Sequence, residues 1–206
     1  MKILKVLLVL MMPVMVLLFS SMAIIMDDDF FYGQFNENGV YLSVPEADDV
    51  YYNLSFYLVK GGELDQSYYS ETEVKHLEDV KIIIGTASYL LVILIISSIS
   101  ITAYLFVRKD YSGAGTSFFI GGILSFVISV VLAAYAYFSF NDFFLMFHQI
   151  MFKNDFWMLP SSSMLIRLFP QEFFFAAAKR VVFSCMLLSS FSVVKGIVLR
   201  VLPKKL

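Results

Sequence analysis

From Tyr111 to Asn141 the chain carries no charged side chain. At 1.5 Å per residue, a helix of that length reaches beyond the roughly 30 Å of a bilayer's hydrocarbon core. Two further uncharged runs, Val6–Met26 and Ile82–Val107, are also long enough to cross. A fourth apolar stretch, Phe173–Leu199, is interrupted by Lys179, Arg180 and Lys195. Long basic stems of this kind can snorkel to the two interfaces. Composition agrees with a membrane solvent: 59% of the 206 residues are hydrophobic and 16% charged, more apolar side chain than a soluble domain of this size can cover. The sequence predicts a mainly α membrane protein, a single membrane domain over 1–206, with spans at about 6–26, 82–107, 116–140 and 173–199.

Lys2 and Lys5 also suit a signal peptide. The apolar run after them is long for one, and no lipobox cysteine follows "LFSSMA", so a retained first span is expected. Orientation follows the basic residues. Lys2, Lys5, Arg108, Lys109, Lys195, Arg200, Lys204 and Lys205 gather at one side, against the single acid Asp110. Residues 27–81 hold thirteen acids against Lys60, Lys75 and Lys81. Both termini are therefore expected in the cytoplasm, with 27–75 and 141–172 on the outer side of the membrane.

In "VYLSVPEADDVYYNLSFYLV" (40–59), β-branched and aromatic residues alternate with polar ones and "PEADD" supplies a break. That pattern predicts short strands, making 27–75 a small β-containing extracytoplasmic insertion. "SETEVKHLEDVK" (70–81) opens a helix instead. Ser70 and Glu73 have capping-box spacing, and the helix is expected to continue into the second span. Glu73, His76 and Asp79 then share one face. "SSS" (161–163) is expected to cap a helix beginning near Met164.

His76 and His148 are the only histidines. The predicted topology puts both outside, within a turn or two of the membrane boundary. Histidine can take and return a proton near working pH. Asp79 is placed for His76, and Asp155 could fold back toward His148. Cys185, the only cysteine, lies mid-span and is expected to pack. Trp157 fits an interfacial aromatic belt or a substrate wall. Gly115, Gly121 and Gly122 allow close helix approach. There is no basic stripe for nucleic acid, no phosphate-cradling glycine loop and no HExxH metal motif, so no cofactor is expected.

"EVKHLEDVK" (73–81) and "FHQIMFKNDFWMLPSSSMLIRLFPQEFF" (147–174) resemble the lipoprotein intramolecular transacylases, small four-span membrane proteins of Gram-positive bacteria. The resemblance implies a diacylated bacterial lipoprotein as substrate, presented among membrane lipids. The enzyme would move its sn-2 acyl chain onto the α-amino group of the N-terminal cysteine, giving a lyso-form. The family's two essential histidines match His76 and His148, and its second motif also matches Asn154, Asp155 and Trp157. Phe156 separates Asp155 from Trp157, where the family pattern joins them.

With amine and ester in one molecule, no acyl-enzyme is required. His148 is expected as base and proton shuttle, and His76 as the group that polarises the ester carbonyl. Asp79 and Asp155 would orient the rings. Two alternatives stay open. One is a zinc-dependent membrane hydrolase using both histidines with Glu73, Asp79 or Asp155; the other is a non-catalytic membrane partner protein.

Overall fold

Backbone in hydrocarbon must satisfy its own N–H and C=O groups, and a helix does so within one segment. The computed structural model describes residues 1–201 and resolves the uncharged runs as helices. Among the described residues, four helices are long and apolar enough to cross a membrane: α1 (Lys2–Ile25), α5 (Glu71–Val107), α6 (Tyr111–Phe138) and α9 (Gln171–Val201). Between them lie α2 (Asp28–Glu37), α3 (Val40–Ser43), α4 (Ala47–Ser55), α7 (Phe140–Met151) and α8 (Met164–Leu168). Lys204 and Lys205, counted in the orientation argument, lie outside the described residues.

The chain divides into two compact units. Among the described residues, one comprises 1–24, 88–134 and 179–201. Its apolar centre is Leu8, Met12 and Phe118, with Met15, Ile101 and Leu199 against it. α6 and α9 pack where side chains are smallest. A Cβ on Gly115 would stand 2.8 Å from the Gly196 carbonyl, and one on Gly122 2.9 Å from the Ser189 carbonyl. Only glycine permits that approach. Lys5 pairs with Asp110 at 2.5 Å. Cys185 is buried, its thiol 3.8 Å from the Val16 carbonyl, as a packing residue would be.

The other unit comprises residues 25–87 and 135–178. The expected β segment is helical, and no strand occurs among the described residues. The buried positions explain the correction. Val40, Val44, Ala47, Val50, Tyr51 and Leu54 are inside, spaced by three and four as a helix face requires. Exposed aromatics such as Tyr52 and Phe56 had imitated alternation. "PEADD" starts α4 rather than breaking a sheet: Asp48 and Asp49 occupy its first turn, where carboxylates meet the positive end of the helix dipole. Asp27 caps α2, accepting from the Phe30 N–H at 3.1 Å. An aromatic cluster fills the interior. Phe31 stacks on Tyr51 at 4.6 Å, and Phe35, fully buried, meets Phe169 at 5.8 Å. α7 follows the third span directly, and α8 begins at Met164, as expected after the serine run.

Candidate functional site

Ser70 and Glu73 form the expected capping box at the start of α5. Glu73 accepts from the Ser70 N–H at 2.9 Å and hydroxyl at 2.8 Å, while the Glu73 N–H donates to the Ser70 hydroxyl at 3.4 Å. The buried Glu73 carboxylate has a third partner, the Leu165 N–H at 2.9 Å. It clamps the first turn of α5 to the start of α8. Ser163 caps α8, accepting from the Ile166 N–H at 3.4 Å. His76 follows one turn after Glu73, on the same face.

His148 belongs to α7. Its Nδ1–H donates to the Phe144 carbonyl, one turn back, at 2.8 Å, since a carbonyl can only accept. That bond fixes the neutral tautomer and leaves Nε2 as an acceptor. α7 stops four residues later, at Phe152, whose backbone is extended (φ −119°, ψ 136°) and whose N–H donates to the His148 carbonyl at 2.8 Å. The Phe152 ring then meets both imidazoles, 4.9 Å from His76 and 5.7 Å from His148 between centroids. Phe144 at 4.2 Å and Trp157 at 5.0 Å enclose His148 further. No hydrogen bond joins the two imidazoles.

A second link binds the two motifs. The Asn154 amide donates to Asp79 at 2.8 Å, and its carbonyl accepts from the Phe156 N–H at 3.1 Å. One side chain thus anchors the turn that carries Trp157 to the helix that carries His76. Asp79 acts on His76 through charge rather than a direct bond. Asp155 is exposed, and its carboxylate bonds to neither ring.

Both imidazoles are driven toward the neutral form. Burial pushes His76 down to about 4, the neighbouring His148 adds to this, and Asp79 opposes it. Burial lowers His148, opposed by the bond to Phe144. His76 Nδ1 is buried with no hydrogen-bond partner among the described residues. The arrangement offers a proton acceptor and a second imidazole, both driven toward the uncharged form, between aromatic walls. Phe144 and Phe152 were missed from the sequence, although Phe144 stands four residues before His148, on the same helical face. Among the described residues, no three His, Cys, Asp or Glu side chains are grouped as a metal ion requires. The zinc alternative therefore lacks a ligand set there.

Four helices long and apolar enough to cross a membrane, among the described residues, define a multi-pass membrane protein whose two histidines meet at one phenylalanine ring. The family model described as lipoprotein intramolecular transacylase Lit matches residues 6–174, and the chain belongs to that family of acyltransferases. No curated protein matches significantly. Among solved structures, the membrane-integral Lit from Bacillus cereus is similar over 99% of this chain and 96% of its own, with TM-score 0.88 and 21% identity. Two variants of that protein, one with a histidine replaced by arginine and one by alanine, give TM-scores of 0.80 and 0.78. Their identities are 20% and 21%, over 99% of this chain and 92% and 94% of theirs. These likenesses establish the fold.

Proposed function

We propose that the protein transfers the sn-2 acyl chain of a diacylglyceryl-cysteine lipoprotein to that cysteine's own α-amino group, giving the lyso-form. Starting from the free amine, the nitrogen attacks the ester carbonyl and His148 Nε2 takes the proton it sheds. An N–H of neutral His76 donates to the carbonyl oxygen as it becomes an oxyanion, as an uncharged imidazole in an apolar site can. The bond from the acyl carbon to the glycerol oxygen then breaks with its electron pair, and His148 returns the proton to that oxygen. One ester is lost and one amide forms. Holding amine and ester together contributes up to about 7–11 kcal/mol, so no side-chain nucleophile is needed.

The observation that carries this reading is the meeting of both histidines at Phe152, with His148 Nδ1 committed to Phe144 and Nε2 left to accept. Asp79, Asn154 and Trp157 act as positioning groups, and Asp155 supports the same turn. The charge distribution supports an extracytoplasmic site: acids crowd 27–81, and Lys2, Lys5, Arg108 and Lys109 stand at the opposite ends of their spans. Histidine is the residue varied in two of the Bacillus cereus structures, and this chain has two. The test is mass spectrometry of a reporter lipoprotein's N-terminal peptide with His76→Ala and His148→Ala. Each variant should insert in the membrane and yield no lyso-form. Normal lyso-form from either would remove the proposed chemistry.

A further inference from the structure

The unit built from 1–24, 88–134 and 179–201 contains one acidic side chain, Asp110, already paired with Lys5. Lys195 therefore has no carboxylate to meet among the described residues. Its ammonium lies 4.0 Å above the Phe118 ring, and its side chain stays accessible. A cation over a phenyl face is oriented but keeps its charge, and a charge facing hydrocarbon is costly until an anion joins it.

Lys195 borders a groove of about 550 Å³, whose wall includes Met12 and Phe19 of α1, Ile95 and Phe106 of α5, and Phe191 of α9. The Thr102 and Ser192 hydroxyls in that wall already donate to backbone carbonyls, of Ser98 at 2.7 Å and Phe118 at 3.0 Å. Lys195 is the single charged side chain lining it. From Ile95 to Phe106 the groove follows α5 for about 16 Å. That is close to the thickness of one leaflet, half of about 30 Å. Gly115 of α6 meets Gly196 and Gly122 meets Ser189, so Lys195 is the α9 residue of the groove nearest the end at which α6 begins, and an acyl chain in the groove would bring its headgroup to it.

We propose that this groove is a binding site for one acyl chain of an anionic glycerophospholipid from the surrounding leaflet, with the lipid's phosphate on Lys195. The site is separate from the acyl-transfer chemistry and does not depend on it.

The test is native mass spectrometry of the purified full chain, titrated with phosphatidylglycerol or phosphatidylcholine of identical acyl chains. The wild type should favour phosphatidylglycerol by about fivefold, the advantage expected of one basic side chain near a charged headgroup. Lys195→Met should abolish the preference and Lys195→Arg should keep it. Thr102→Phe, which fills the groove, should weaken both lipids, and it tests the site independently if Lys195→Met does not fold. Lys109→Gln, in the turn before α6, should leave the preference intact. Equal binding of the two lipids by the wild type, a preserved preference in Lys195→Met, or an equal loss in Lys109→Gln would overturn the proposal.

Discussion

The bond between Asn154 and Asp79 permits an exchange of partners. In Asn154→Asp the donor becomes a second carboxylate, facing an oxygen that now lies 2.8 Å away. The lost bond to a charged acceptor is worth about 1.5–3 kcal/mol. Two unit charges about 4 Å apart add repulsion of up to about 4 kcal/mol at an effective dielectric of 20. Both side chains are half-buried, so solvent trims that second figure. The turn that seats Trp157 against His148 should shift, and a displaced catalytic geometry of this cost lowers kcat/KM by about 10- to 100-fold. Combining Asn154→Asp with Asp79→Asn exchanges donor and acceptor. The acceptor of the Phe156 N–H is kept, and the link reforms. The double variant should recover to within about threefold of wild type, a strong coupling in a double-mutant cycle. Initial rates of lyso-form production, read by mass spectrometry with purified enzymes, decide it. An unimpaired Asn154→Asp enzyme, or a double variant no better than the single ones, would refute the positioning argument.

The pH dependence follows from the lowered histidines. His148 must be neutral to accept a proton, and its limb lies below the ordinary 6.5; the substrate amine titrates near about 8. The logarithm of the rate should therefore rise with slope one between pH 6.5 and 8, steepening to two only below 6.5. A slope of two already at pH 7 would contradict the assignment. His76, at about 4, binds fewer protons folded than unfolded, so stability should fall as pH drops from 6.5 toward 4; thermal unfolding in detergent reads this. Glu73→Ala strands the buried Leu165 N–H and should cost about 2–4 kcal/mol of stability, with Glu73→Gln milder. Gly122→Leu meets Ser189 and Val193 at once and should cost about 1–3 kcal/mol, whereas Gly33→Ala, with open space around it on α2, should be neutral or stabilising.

The spans were legible because uncharged length is a local property. The Ser70–Glu73 cap was legible because its spacing is fixed by one helical turn. Residues 40–55 were misread because the aromatics of this segment fall on both its buried and exposed faces. Tyr51 is inside and Tyr52 outside, although their neighbours in sequence look alike. Both histidines were expected to lie together from rarity and matching location, and both meet Phe152, a residue the sequence did not single out. A phenylalanine beside many others carries no signal until the helix end turns its ring inward. The Asn154 link could not be read either, since it joins positions 75 residues apart. Glu73 was expected in the capping box; its further bond to the Leu165 N–H joins positions too far apart for spacing to reveal.

The phenyl ring wedged against both imidazoles has one more consequence. With no bond between them, the two rings form a circuit with its contact open. Under the proposed chemistry each ring serves a different atom of one lipoprotein, His148 the amine and His76 the ester oxygen, so the molecule to be remodelled is itself what closes the gap between them.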